Sequence, residues 1–427
     1  MYQAIIARIK TRPHPNADRL QLADVCGTTV VVGLNHLDDE LGVYFPTDGV
    51  LSHDFCLANH LYNKSAKGKL GLPTDGPVGF FDHHRRVRAQ SFRGEKSDGF
   101  WLPLSCLGPP QVGKDSMDEG AMFDHWGGVR LCEKWTTRIY ASGASNSLRN
   151  LCKGELPGFP KHMDTEQWFY YEREILNLKN PMLTFTEKIH GTSHRVGLVK
   201  DQTKKWWQFW KPDYRIEHGS RNVVLTDRTG DTSFYGTDAF RYGATKDCLA
   251  GIRKGEVLYG EIIGSVAAGT PIMPAGPTPK EFVKERAIYG DTITWTYGLA
   301  DGHCEFVLYR VVQFNEDAEA VELSHAQVVR RAKDLGLRVV PTVGSVVLPL
   351  EMDDDFRKML RDQVMMQTGD PSAPSLFNPA MPREGIVIRV DTNDGHTKFY
   401  KNKSFFFKVL EGIAKIDDQY QDVEENA

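Results

Sequence analysis

Lys188 lies in Leu183-Thr-Phe-Thr-Glu-Lys-Ile-His-Gly-Thr-Ser193, the stretch whose residue types and spacing best suit covalent chemistry. Apolar and polar residues alternate from Leu183 to Thr186, the period of a half-buried strand. Such a strand delivers Lys188 at its end, and Gly191 permits a tight turn that brings backbone close to a ligand. A lysine amine kept neutral by desolvation or neighbouring cations is a nucleophile. Lysine followed by glycine three residues on recurs at Lys96-Ser-Asp-Gly99 and Lys333-Asp-Leu-Gly336. Lys333 falls in a helical pattern with Val328, Val329, Ala332 and Leu335, closed by Gly336. Lys96 stands near Arg85, Arg86, Arg88 and Arg93, where a basic loop residue either touches phosphate or stays solvated.

Other charged residues sit where a strand would present them. Glu261, in Tyr-Gly-Glu-Ile-Ile-Gly, puts a carboxylate inside an apolar strand, which costs stability unless the group is paired or functional. Lys401 and Lys403 alternate onto one face of the strand Thr397–Lys403, so two ammoniums could meet one phosphate. Lys398 and Lys408 are alternatives for that role. Arg221, in Ser-Arg-Asn, offers a planar guanidinium suited to phosphate oxygens or to a surface ion pair.

These candidates belong to a chain of 427 residues, long enough for two or three domains. A formal charge of −4 gives no global attraction to nucleic acid, so any such binding needs local basic patches. No apolar run reaches membrane-spanning length and the N-terminus lacks a signal-peptide pattern. Seven scattered cysteines without a C-x-x-C pair predict reduced thiols in an intracellular compartment, cytoplasm or nucleus, and no structural zinc. No P-loop motif occurs.

Short strands with turns fill residues 1–110 (Ala4–Ile9, Leu20–Val25, Thr29–Gly33, Gly42–Phe45, Arg86–Phe92, Gly99–Leu104), a spacing that predicts a small barrel or sandwich. Residues 111–160 read as a linker, rich in Gly, Pro and Ser. A second domain, 161–427, opens near Gly158-Phe-Pro-Lys161 and Trp168-Phe-Tyr-Tyr171. It carries strands at His194–Val199, Tyr214–Glu217, Val257–Gly264, Cys304–Phe314 and Glu384–Val390, with helices expected at Ala239–Lys254, Leu323–Leu335 and Met352–Met366. Lys204-Lys-Trp-Trp-Gln-Phe-Trp-Lys211 either packs on a neighbour or stacks bases.

From Lys188 to Lys403 the chain resembles ATP-dependent, nick-sealing RNA ligases, members of the covalent lysine nucleotidyltransferases. Glu-Lys-Ile-His-Gly-Thr is close to their spelling, and six motifs occur in the family's order. His14-Pro-Asn-Ala-Asp-Arg-Leu-Gln-Leu-Ala-Asp24, Arg86–Gly94 and Asp98–Leu104 resemble the amino-terminal OB module of one group of them; the first also resembles tRNA-binding OB-folds. The resemblance implies an α+β chain: an OB-like barrel, then a nucleotidyltransferase domain of ATP-grasp-like antiparallel sheets with flanking helices. It implies that Lys188 takes AMP from ATP, and that His190 serves AMP transfer to a 5′-phosphate. Arg221 would lie near the sugar and reacting phosphate, Glu261 on the ribose, and Tyr309 against adenine. Glu187 joins the nucleotide-binding set; Glu384 would bind Mg²⁺ or Mn²⁺; Lys401 and Lys403 would hold the α-phosphate. The implied partner is RNA or an RNA-containing nicked duplex. Residues 265–303 and 367–382 are longer here than in compact members. DNA ligases and mRNA-capping guanylyltransferases share the chemistry but carry their OB-fold after the catalytic domain, and a non-enzymatic tRNA-binding protein would not need Lys188 and Glu384.

Overall fold

The computed structural model describes residues 2–135, 155–163, 165–201, 204, 207–225, 238–280, 282–369 and 372–411. Two compact units divide them: one from residues 1–138, 168–175 and 408–427, the other from 139–167 and 176–407.

In the first unit, strand pairing follows turn chemistry. Leu20–Val25 pairs with Thr28–Gly33 across Cys26 and Gly27, both at positive φ (48° and 74°). Ala89–Phe92 pairs with Glu95–Asp98 across Arg93 and Gly94, at 47° and 88°. Two consecutive residues in the left-handed region make the turn whose twist suits a hairpin. Gly27 is also tight, since a Cβ there would lie 2.5 Å from the Phe169 ring. The expected run Arg86–Phe92 is divided: Arg86–Val87 joins Gly49–Leu51, whereas Ala89–Phe92 joins its hairpin partner. Pairing therefore produces separate small sheets, and among the described strands it closes no barrel. A core of Ile6, Val43, Phe45, Leu51, Phe55 and Trp126 lies beneath them. Within the stretch read as a linker, Met122–Phe123 pairs with Ala4–Arg8, and Cys132–Lys134 with Gly49–Leu51. Ser142–Ser147, Trp206 and the acidic tail lie outside the described residues.

Among its described residues the second unit holds two large sheets and a two-stranded one, Gly276–Pro277 with Thr292–Ile293. A five-stranded sheet orders Glu166–Gln167, Thr397–Lys403, Gly385–Asp391, Met182–Glu187 and Thr342–Val347. An eight-stranded sheet is centred on Thr192–Lys200, Glu256–Ala267 and Cys304–Phe314. Helix His325–Asp334 packs on the larger sheet through Val328 and Ala332, and its buried Arg331 meets Glu256 Oε1 at 2.6 Å. Both charges of that pair are satisfied, which a buried ion pair requires. The expected helix 239–254 is α-helical only over Ala239–Thr245 and then tightens to 3₁₀ turns through Gly251. Segment 265–303 carries its own helix, Val283–Tyr289. Trp207, Phe209 and Trp210 are exposed rather than packed away.

Candidate active site

Strand Met182–Glu187 lies between Gly385–Asp391 and Thr342–Val347 and ends just before Lys188. The Lys188 N–H donates to the Gly385 carbonyl at 3.0 Å, so the backbone at the lysine is fixed to the neighbouring strand. Gly191 has a steric reason: a Cβ there would stand 2.6 Å from the Ile262 carbonyl oxygen. The close approach it allows is thus to the strand Glu256–Ala267.

Lys188 opens onto a cavity of about 220 Å³ that also has Glu187, Arg221, Glu261, Tyr309, Lys401 and Lys403 in its wall. Lys401 and Lys403 pair opposite Val387 and Gly385, and Asn402 between them turns away to donate to Thr368 Oγ1 at 2.8 Å. The two-residue period of the strand therefore puts both lysines on the cavity side. Lys398 is exposed, and Lys408 pairs with Asp98 at 2.8 Å in the other unit, where Lys96 also lies 3.9 Å from Asp98.

Glu384 and His190 do not line the cavity but stand directly behind Lys188. Glu384 is 1% exposed, and its Oε1 accepts from Lys188 Nζ at 2.8 Å and lies 3.1 Å from Lys403 Nζ. Burial alone would raise its pKa; the two ammoniums outweigh burial and hold it well below the usual carboxylate range. His190 Nδ1 is 3.7 Å from Glu384 Oε2. Burial lowers the imidazole pKa to about 4, so it is neutral near pH 7.

Beyond the lysines the wall changes character. Tyr309, expected to set its ring against adenine, also uses its hydroxyl: it meets His162 Nδ1 at 2.6 Å. Burial and surrounding arginines push the His162 pKa down to about 3, while burial pushes the phenol up. Both groups are thus neutral where they meet, and His162 Nε2 has no hydrogen-bond partner. The His162 N–H donates to the Arg221 carbonyl at 3.2 Å, tying this residue to another candidate. Glu261 Oε1 accepts from Ser193 at 2.8 Å, and its Oε2 has no partner. Desolvation raises this carboxyl to about 7. Glu187 is buried, accepts from the Leu376 N–H at 2.8 Å and has a pKa raised by burial.

Sequence reasoning missed His162. Its one signal was position, directly after Phe-Pro-Lys161; Phe159 of that motif is fully buried and the Pro160 carbonyl accepts from Tyr259 at 3.1 Å. Arg389 and His325 also line the cavity unforeseen.

A family model for RNA ligases matches residues 182–410, more than half of the chain, and the chain belongs to that family: it is an RNA ligase. Solved structures extend the likeness to the fold of nearly the whole chain. RNA ligase from Naegleria gruberi with pyrophosphate is similar at 20% identity and a TM-score of 0.57, over 95% of this chain and 97% of that one. A variant of that ligase with ATP and Mn gives 19% identity and a TM-score of 0.58, over 96% and 98%. Another with AMP and Mn gives 20% and 0.58, again over 96% and 98%. No curated protein matches the chain. No helix among the described residues is long and apolar enough to cross a membrane.

Proposed function

We propose that this RNA ligase is ATP-dependent and seals nicks between 3′-OH and 5′-phosphate ends, with Lys188 as the nucleophile. The observation that carries this reading is one buried carboxylate, Glu384, contacting both Lys188 and Lys403, two lysines that line one cavity with Lys401 and Tyr309. The Lys188 lone pair attacks the α-phosphorus of ATP; the P–N bond forms as the bond to the β-phosphate breaks, and pyrophosphate leaves. AMP then passes to an RNA 5′-phosphate, which returns the lysine amine. The 3′-hydroxyl finally attacks that activated phosphate and expels AMP. Phosphoryl transfer needs positioning and charge neutralisation above all. Lys401, Lys403 and Arg221 supply the charge, Tyr309 the face for adenine, and His190 sits beside the lysine for the second step. Glu261 and Glu187 complete the nucleotide-binding set.

A divalent cation, Mg²⁺ or Mn²⁺, fits the donors at hand. Mg²⁺ prefers oxygen and binds through one or two carboxylates plus substrate phosphates, keeping several waters. Glu384 Oε2, with no hydrogen-bond partner, is such an oxygen, and among the described residues no group of three or more His, Cys, Asp or Glu forms a dedicated cage. When bound, the cation would offset phosphate charge.

The amino-terminal module, residues 1–110 with the strands Met122–Phe123 and Cys132–Lys134 that pair into it, is of OB type in this proposal and grips the RNA backbone through Arg85, Arg88 and Arg93. The protein resides in a reducing intracellular compartment. Incubation with labelled ATP, then with a nicked duplex whose 3′-OH strand ends in RNA or DNA, tests the reading. Label should come from ATP and not GTP, and the ribose end should seal faster because its 2′-hydroxyl can be recognised. Labelling by GTP would instead favour a capping-type enzyme.

A further inference from the structure

We infer that the two long segments, 265–303 and 367–382, set the geometry of the nucleophile's turn, with Tyr297 as the positioning residue that does so. This inference rests on Lys188 being the nucleophile.

The turn Lys188-Ile-His-Gly191 is restrained at three points. The Lys188 N–H is bound to the Gly385 carbonyl, and Gly191 is wedged against the Ile262 carbonyl. The third restraint comes from a side chain: the His190 N–H donates to the Tyr297 hydroxyl at 2.7 Å, a contact across 107 residues of sequence. Trp295, from the same segment, meets the His190 ring edge-on at 5.0 Å, and Phe407 does so at 4.9 Å. His190 and Lys188 both reach Glu384, so displacing this turn displaces the amine from the carboxylate that holds it.

Tyr297 is itself held under strain. It has a φ of 53° and is 4% exposed, a backbone conformation that costs free energy for a bulky residue and persists only when surroundings over-determine it. The second long segment provides those surroundings. The Tyr297 N–H points to Met381 Sδ at 3.3 Å, its ring meets Phe377 edge-on at 6.0 Å, and a Cβ on Gly298 would approach Asn378 Nδ2 at 3.4 Å. Glu187, the residue before the nucleophile, accepts from Leu376 of the same segment. Both long segments thus converge on the turn, yet Tyr297 takes no part in lining the cavity. Its effect should fall on the rate of attack and not on ATP affinity.

Tyr297→Phe keeps the ring and deletes the acceptor, leaving a buried N–H unsatisfied. Single-turnover formation of enzyme-bound AMP, followed across ATP concentrations, should show a maximal rate lowered by about tenfold. Half-saturation should stay within about twofold of wild type, and the thermal unfolding midpoint should fall by only a few degrees, roughly the cost of one unsatisfied donor. A maximal rate equal to wild type overturns the inference, as does a loss that appears wholly in half-saturation. If wild-type protein takes no label from ATP, the reading of Lys188 falls, and this inference with it.

Discussion

The two ends of the cavity differ in whether their charges are already paired. At the lysine end Lys188 and Lys403 both pair with Oε1 of the almost fully buried Glu384, whose Oε2 lacks a hydrogen-bond partner. At the Tyr309 end, His162 Nε2 and Glu261 Oε2 are buried and lack partners. Buried polar atoms without partners are uncommon and call for a reason. A nucleotide entering the lysine end must exchange existing ion pairs for phosphate contacts; at the Tyr309 end it completes bonds left open. Substitutions at the first end should therefore act on rate, and at the second on affinity.

Lys188→Ala gives the largest expected effect, no detectable transfer of label from ATP in a gel assay with unchanged folding by circular dichroism. Lys403→Ala should lower the single-turnover adenylation rate by about 10²–10³-fold, the usual cost of losing a positioned charge at a transition state, with ATP half-saturation little altered. If half-saturation absorbs the whole loss, the two ends do not differ as described. Tyr309→Ala should weaken ATP binding about tenfold or more in an equilibrium titration, whereas Tyr309→Phe, which loses only the bond to His162, should weaken it by a few-fold.

The smallest effect is on stability. Glu261 has a folded pKa of about 7 against an ordinary 4.5, so between those values the folded state holds a proton that the unfolded state has released. Stability is then highest below pH 4.5 as far as this group is concerned, and declines as pH rises through 7. Calorimetry from pH 5 to 8 should show that decline, and Glu261→Gln should flatten it.

Much of the lysine end was legible because its signals are local. Lysine and glycine spacing and a two-residue alternation at Lys401 and Lys403 survive in the fold, and so does the strand before Lys188, although it is buried on both faces from Leu183 to Glu187 and not half-buried as its alternation suggests. Tyr297 and His162 were not legible, since their partners lie 107 and 147 residues away and neither carries a motif. The same reason hid Cys132–Lys134, whose composition suggests a linker but whose backbone pairs with Gly49–Leu51. The helix expected at 239–254 failed locally instead, because apolar periodicity continues where the backbone has already tightened to 3₁₀ turns.

Peptide mapping by mass spectrometry, after incubation with ATP and Mg²⁺, addresses the nucleophile most directly. An AMP adduct confined to Lys188 is the predicted result. An adduct on Lys96, Lys333 or any other side chain, with Lys188 unmodified, would contradict it.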